Sequence, residues 1–347
     1  MALSAHAAPW RFAIFSDGRA GSPTENGSTN GVHVAPFRLL AEDAARQNIS
    51  LVIFPGDLVN GGTNFGPLAR QFSTWKDAMK PLYDAHVTVY PCRGNHETHQ
   101  DDPPGSAIRE WRAAFPDLPA NGPADQRGLT YKVETNNACF IAFEQFAGRS
   151  ATFDPAKYDN RVNSGMVPQW AIDQIQQTRA RWVFAFGHES AFIGHHTDCL
   201  ANVPAERDAL WDALGEKGGI YISGHDHLYA RRTAPDAAGR PVLELVAGDA
   251  GAPPYPCDSE ALNANYDRHI VPKDLFINAG PIAKSSPPDY SHNSNGYPMY
   301  FGYLLITVDD NRIIGEWRAL TNYKTAAYPA NPPAEPKFEA LDTFTWP

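Results

Sequence analysis

Five short segments share one construction, and together they constrain the fold more than any other feature of the sequence. Each is an apolar, strand-like run that ends in a turn containing Asp, Asn or His, with a glycine close by. The apolar runs cover residues 12–15, 51–54, 87–90, 182–186 and 220–223. Sheet-based enzymes of mixed architecture place their chemistry in the crevice at the carboxyl ends of strands. The segments therefore predict one site at such an edge.

The stretches between and after these runs predict how the sheet is covered. Helices are expected over residues 36–47, 65–83, 106–115, 167–179 and 206–214. Further strands are expected over residues 129–134, 139–146, 242–246, 300–308 and 312–320, the last two as an antiparallel pair. A strand, a helix and a strand in succession force parallel pairing. Alternating helices and strands with an antiparallel end predict a layered α/β sandwich.

The amino-acid composition along the chain predicts one main domain. Apolar residues make up 43 % of the 347 residues, which is enough to fill a sizeable core. We expect residues 10–325 to form the domain and residues 326–347 to form an extended carboxyl-terminal tail. Residues 248–297 are rich in Pro, Asn, Gly and Ser, and they are expected to be a long loop excursion, either a surface feature or a lid over the site.

The charge and the amino terminus limit the partners and the compartment. The 29 Lys and Arg against 39 Asp and Glu give a formal charge of −10 without a basic run, so no nucleic-acid-binding patch is expected. No apolar run is long enough for a membrane span. Residues 1–9 are expected to be a residual signal peptide or a disordered terminus, and the signal-peptide reading predicts a secreted or periplasmic protein. The oligomeric state is not indicated.

The four cysteines are compatible with an oxidising compartment. Cys92 and Cys139 lie in apolar runs and are expected to be buried thiols. Cys199 and Cys257 lie in loop-like stretches after the fourth and fifth segments, where a disulfide between them would join two loops near the site.

The side chains in the five turns are metal ligands by type. They are Asp17, Asp57, Asn95, His188, His225 and His227. A lone histidine near apolar residues is more often a core residue than a ligand, but an ordered set at strand ends outweighs that reading. A bridging carboxylate such as Asp57 can hold two cations roughly 3.5–4 Å apart. Because His225 and His227 alternate in an extended run, they point the same way.

In this ordered set, the chain resembles calcineurin-like metallophosphoesterases. Their pattern is Asp-x-His, Gly-Asp, Gly-Asn-His-Asp/Glu, Gly-His and Gly-His-x-His, and all elements except the first are intact here. The resemblance covers about residues 12–320. It implies a four-layer α/β/β/α sandwich with mixed sheets. It also implies hydrolysis of small phosphate esters, monoesters or diesters, by metal-bound hydroxide.

By position, the resemblance implies a role for each turn. Asp57 would bridge a dinuclear centre, in which Asn95, His188 and His225 hold one metal and Asp17 and His227 hold the other. His96 would contact the phosphoryl oxygen or protonate the leaving group, a task that suits a side chain with a pKa near neutrality. Mixed oxygen and nitrogen ligands permit one or two ions of Fe, Mn, Zn or Co.

Arg19 stands where the family pattern has a histidine ligand, and a guanidinium cannot ligate a cation. Three readings are open. Arg19 is a catalytic phosphate clamp, or it pairs with an acidic neighbour, or another residue replaces the ligand, with His33 as the first choice and Asn60 as a weaker one. The purple acid phosphatase branch has a tyrosine ligand at the position of Asn60, so a purple chromophore is not expected.

Two further groups of residues are expected near the crevice. His195 and His196 lie in the loop after the fourth segment, where they would contact substrate or, for His196, act as an extra acid; the alternative is two exposed loop histidines. Residues expected to orient the ligands are Arg93, Glu97, Glu189 and Asp226. The rival function is a protein that keeps the fold as a non-catalytic or single-metal binding module.

Overall fold

The computed structural model of the chain describes residues 8–146, 167–255, 265, 268–269, 300–309, 311–323 and 332–347. Its strands are β1 (Trp10–Ile14), β2 (Leu51–Pro55), β3 (Thr88–Cys92), β4 (Tyr131–Thr135), β5 (Ala138–Ala142), β6 (Trp182–Phe186), β7 (Ile220–Ser223), β8 (Tyr229–Pro235), β9 (Pro241–Ala247), β10 (Arg268–His269), β11 (Gly302–Val308), β12 (Ile313–Leu320) and β13 (Phe338–Trp346). Its α-helices are α1 (Val34–Ala45), α2 (Leu68–Ala78), α3 (Lys80–Asp84), α4 (Ser106–Ala114), α5 (Gln169–Gln177) and α6 (Pro204–Lys217).

The strands form two mixed sheets. Within the described ranges, one sheet has six strands in the order β13-β12-β11-β1-β2-β3, and the other has seven in the order β10-β8-β9-β7-β6-β5-β4. Strands β1, β2 and β3 run parallel, as do β5, β6, β7 and β9. The five predicted ligand-bearing turns follow β1, β2, β3, β6 and β7, so they all leave the parallel parts of the sheets at the carboxyl ends of strands.

The core has three apolar layers, which alternate with the sheets. Between the sheets, Phe12 of β1 packs edge-on against Phe140 of β5 and Phe184 of β6, with ring centroids 5.2 and 5.0 Å apart. The next residue of β1, Ala13, points to the opposite face, where α1 to α4 cover the first sheet. Helices α5 and α6 cover the outer face of the second sheet. The predicted four-layer α/β/β/α sandwich is confirmed.

The carboxyl-terminal end departs from the expected tail. Residues 338–346 form β13, which pairs with β12 from Phe338 opposite Leu320 to Trp346 opposite Ile313. Leu341, Phe344 and Trp346 enter the core between the sheets. The prediction of an extended tail is therefore wrong for these residues. A bulge at Trp317/Arg318 shifts the register, and this shift breaks the simple apolar alternation that would have revealed the strand.

Some sequence predictions fall on residues that the structure does not describe. These are residues 1–7, Cys257 and most of the 248–297 excursion. Cys92 and Cys139 are buried free cysteines, as predicted, and Cys199 is a buried free cysteine as well. Across the described residues, each helix is too short or too polar to cross a membrane.

Candidate active site

The five turns meet in one buried crevice. The backbone N–H of Asp17, in the turn after β1 of the first sheet, donates to Gly56 O over 3.2 Å, and the backbone N–H of His225, in the turn after β7 of the second sheet, donates to Asp17 Oδ2 over 3.0 Å, so turns from both sheets lie side by side. The predicted ligands gathered there are Asp17, Asp57, Asn95, His188, His225 and His227, each at most 8 % exposed. The six side chains predicted as ligands are thus all buried at the ends of these strands.

Three of these residues have a strained backbone conformation. Asp17, Asp57 and His225 have φ values of 58°, 53° and 68°, in the left-handed region that residues with a Cβ rarely adopt. The neighbouring glycines provide the space. A Cβ on Gly94 would lie 2.2 Å from Asp57 Oδ1, and one on Gly224 would lie 2.4 Å from Asp17 Oδ2. The Gly-ligand pairs in the sequence therefore have a steric cause.

Asp17, Asp57 and His188 form the centre of the cluster, with one ligand atom from each lying within 4.8 Å of the others. His188 Nε2 is 3.3 Å from Asp57 Oδ1 and 3.1 Å from Asn95 Oδ1. Asp17 Oδ1 is buried and has no hydrogen-bond partner among the described residues. Burial and the nearby Asp57 carboxylate raise the pKa of Asp17 well above its usual value. Two crowded buried carboxylates and an unpartnered oxygen fit a metal cation.

Backbone carbonyls fix the tautomers of the ligand histidines. Nδ1–H of His188 donates to Pro55 O over 2.8 Å, and Nδ1–H of His227 donates to Pro253 O over 2.8 Å. Each ring therefore presents the Nε2 lone pair to the cluster. Burial lowers the pKa of His188 to about 4, although Asp57 opposes the shift, and burial with Arg19 lowers the pKa of His227 well below its usual value. Neutral imidazole is the form that ligates a metal.

Arg19 lies between Asp57 and His227. Its Nε donates to Asp57 Oδ2 over 3.0 Å, and its Nη2 is 3.1 Å from His227 Nε2. Burial works against the ionised form of Asp57, but His188, His96 and Arg19 together hold the pKa of this carboxyl far below its usual value. Of the three readings of Arg19, pairing with an acidic neighbour is the one that these contacts match.

His96 and Glu97 lie beside the cluster in the turn after β3. Nδ1 of His96 contacts Asn60 O, which directs Nε2 to a position 3.8 Å from Asp57 Oδ2. The buried Glu97 carboxylate accepts backbone N–H bonds from Asp57 (3.0 Å), Val59 (3.1 Å) and Gly94 (2.6 Å). Glu97 thereby ties the turn after β2 to the turn after β3, which agrees with its expected role in orienting ligands.

The loop after β6 brings both of its predicted histidines to the crevice. Asp226 accepts hydrogen bonds from the backbone N–H groups of His195 and His196, and it lies 2.9 Å from His196 Nδ1. The His196 ring stacks on His225, with centroids 4.1 Å apart. Asp226 thus holds the loop after β6, whereas the expected role was to orient the ligands.

Sequence reasoning missed two residues of the site. Asp198 Oδ2 lies 3.1 Å from His225 Nε2. Although burial acts in the opposite direction, this carboxylate raises the pKa of His225 to about 9. The Tyr255 ring stacks on His195 and on His227. Asp198 follows the predicted histidine pair by two positions, which was an available signal, whereas Tyr255 belongs to no local motif.

The two suggested replacement ligands are engaged elsewhere. His33 Nδ1 lies 2.7 Å from Gly251 O, and His33 Nε2 lies 3.2 Å from Asn26 O, so both ring nitrogens face backbone carbonyls. The side chain of Asn60 donates to Ala20 O and accepts from Gly62 N–H. These contacts argue against metal ligation by His33 and Asn60.

Comparisons with known proteins identify the family of the chain. The sequence profile of the calcineurin-like phosphoesterase family matches residues 31–229, more than half of the chain. Among solved structures, PhoD is 12% identical with a TM-score of 0.62, over 99% of this chain and 70% of that one. A dimetal phosphatase from Danio rerio is 14% identical with a TM-score of 0.48, over 96% of this chain and 99% of that one. No curated protein matches the chain by sequence.

The matched region bears directly on the site. It begins after Asp17 and Arg19 and contains the turns after β2, β3, β6 and β7. The likeness to PhoD shows the shared fold. The chain therefore belongs to the calcineurin-like phosphoesterase family and is a metal-dependent phosphoesterase.

Proposed function

We propose that this phosphoesterase hydrolyses small phosphate monoesters or diesters at the crevice lined by Asp17, Asp57 and His188. The observation that carries the proposal is the convergence of these ligand atoms within 4.8 Å, with Arg19 and His96 beside them. A cation supplies Lewis-acid charge that polarises the phosphoryl group and eases the ionisation of water. Asp57, Asn95 and His188 would hold it, with Asp17 close by.

The residues around the cluster would handle the substrate. In the reaction, a water oxygen forms a bond to phosphorus and the ester P–O bond breaks, so the leaving oxygen needs a proton. His96 Nε2 is directed toward Asp57 by the contact of Nδ1 with Asn60 O, and it is the atom we assign to that proton. An anionic ester beside the ring would favour its protonated form. Arg19 would contact the phosphoryl oxygens through its remaining N–H groups.

The test is hydrolysis of chromogenic phosphate mono- and diesters with added Mn, Zn, Fe or Mg. The informative variant is Asp57→Asn, with Asp84→Asn as a matched control, because Asp84 is exposed and pairs with Lys80 in the same short helix. We expect the Asp57 variant to lose turnover by a factor of about 10² or more, since the metal contributes several kcal/mol to the transition state. Absence of metal-stimulated turnover with every ester, in folded wild-type protein, would contradict the proposal.

A further inference from the structure

We infer that the site takes one metal ion and that the Arg19 guanidinium occupies the place of a second. The inference rests on the proposed function and concerns the composition of the same site. Arg19 donates from Nε to Asp57 Oδ2 over 3.0 Å and approaches His227 Nε2 to 3.1 Å with Nη2. These two acceptors come from different sheets, so the guanidinium spans the crevice.

The two oxygens of Asp57 face different partners. Oδ1 accepts the backbone N–H of His96 over 3.1 Å and lies 3.3 Å from His188 Nε2, on the side where Asn95 also approaches that nitrogen. Oδ2 accepts the hydrogen bond from Arg19. A bridging carboxylate must offer electron density to both cations. The donor on Oδ1 is a neutral backbone N–H, which does not repel a cation on that side, whereas the donor on Oδ2 is the charged guanidinium.

His227 loses its ligand function in the same way. Its Nδ1–H donates to Pro253 O, so Nε2 is the nitrogen left to bind a cation. That atom lies 3.1 Å from Arg19 Nη2 and 3.6 Å from Asp17 Oδ1. Because a guanidinium can only donate, His227 Nε2 is the acceptor of this contact. The imidazole that would hold the second metal therefore holds Arg19 instead.

The charges of the cluster also favour a single metal ion. Arginine stays protonated in proteins, so the second position carries a permanent positive charge. One divalent cation with Arg19 already exceeds the charge of the two carboxylates of the cluster, Asp17 and Asp57, and leaves a net attraction for a phosphate ester. A second divalent ion beside the guanidinium would be repelled at close range. Arg19 thus replaces the charge of a metal and, unlike a metal, offers directed N–H donors to the phosphoryl group.

The experiment counts metal in the whole chain. The wild type and the variants Arg19→His and Arg19→Lys are saturated with Mn²⁺, and unbound Mn²⁺ is then removed. Manganese per chain is then measured by elemental analysis, and exchange coupling is measured by electron paramagnetic resonance. We expect one uncoupled Mn²⁺ in the wild type. Arg19→His supplies the missing imidazole and should bind two coupled ions. Arg19→Lys keeps the charge without providing a ligand, and it should bind one.

The outcomes separate the two proposals. Two coupled Mn²⁺ ions in the wild type would overturn the inference, as would a single ion in Arg19→His with an unchanged circular dichroism spectrum. Ester hydrolysis is measured on the same preparations. One uncoupled Mn²⁺ ion in a wild type that cleaves no ester, with Mn²⁺ or with Zn, Fe or Mg in its place, would contradict the proposed function while supporting the metal count.

Discussion

The His227 imidazole lies face to face with the phenol ring of Tyr255, with centroids 4.1 Å apart and planes inclined by 12°. The His195 ring stacks on Tyr255 at the same centroid distance of 4.1 Å, inclined by 13°. Two rings stacked this closely on one phenol must lie on its opposite faces. Tyr255 therefore joins the loop after β6 to a histidine of the metal cluster.

Removing the Tyr255 ring should loosen the crevice. An aromatic pair contributes about 0.5–1.5 kcal/mol, so Tyr255→Ala should lower the free energy of unfolding by about 1–3 kcal/mol. It should also lower kcat/KM, because His195 and His227 lose the ring that orients them. Tyr255→Phe keeps both stacks and is the matched control. Urea denaturation and ester hydrolysis check both effects, and equal losses in the two variants would assign them to the hydroxyl group.

Replacing His96 should separate proton transfer from metal binding. General acid–base catalysis contributes about 10²- to 10⁴-fold, so His96→Asn should lower kcat by that factor. Metal content should stay unchanged, because His96 Nε2 is 3.8 Å from Asp57 Oδ2 and Nδ1 faces Asn60 O. The control is His86→Asn, an exposed position at φ 59° that asparagine accepts. Loss of metal together with turnover would make His96 a ligand instead.

Glu97→Gln tests whether the hydrogen bonds of Glu97 hold together the turns after β2 and β3. Both carboxylate oxygens of Glu97 accept backbone N–H groups, Oε1 from Val59 and Oε2 from Asp57 and Gly94. A glutamine NH₂ cannot accept, so at least one buried N–H loses its partner at a cost of about 1–3 kcal/mol. We also expect metal affinity to fall about 10- to 100-fold. Calorimetric titration with Zn²⁺ and thermal unfolding measure both quantities.

The matched control for Glu97→Gln is Glu335→Gln, the same chemical change at an exposed residue. It should leave metal affinity and stability at wild-type values. If Glu97→Gln behaves like this control, the three hydrogen bonds do not hold the site together.

Asp249 should make stability depend on pH. Its Oδ2 accepts from Trp317 Nε1 over 2.6 Å, and Oδ1 has no hydrogen-bond partner among the described residues. Burial raises the pKa of Asp249 from 3.8 to about 7. Below the lower value, both the folded and the unfolded chain bind the proton. As pH rises toward the higher value, the unfolded chain releases it first, so the folded state loses up to about 4 kcal/mol.

Asp249→Asn removes this titration while keeping an acceptor for Trp317. The difference in free energy of unfolding between variant and wild type should therefore shift in favour of the variant as pH rises from about 5 to about 7. Urea denaturation at several pH values, under one metal condition, measures that difference. A difference that does not change with pH would contradict the role given to Asp249.

The ligand turns were predictable because each is a local pattern. An apolar run followed by glycine and a ligand indicates the end of a strand. Strands β6 and β7 have the bounds expected from the sequence. The parallel parts of the two mixed sheets then bring these strand ends together without further information. The sequence also showed that Arg19 stands in place of the family's histidine ligand. Its role follows only from the structure, in which it contacts Asp57 and His227.

Other features depend on contacts between distant parts of the chain. Tyr255 and Asp198 reach the crevice from loops, and no periodicity marks their side chains. His33 looked available in the sequence, yet its ring is enclosed by the carbonyls of Gly251 and Asn26. Strand β13 follows a Pro-rich stretch, and the register shift opposite Trp317/Arg318 leaves Leu341 of β13 without an opposite residue, which offsets its apolar side chains. Such placements follow from tertiary packing.

The position of β1 between β2 and β11 has a consequence for biosynthesis. The ribosome delivers β1, together with the turn that carries Asp17, long before β11, which lies much later in the chain. Until then, one edge of β1 has no strand to pair with, and an open edge can recruit another chain. Translation that stalls before residue 302 therefore leaves this edge of β1 exposed to misassembly.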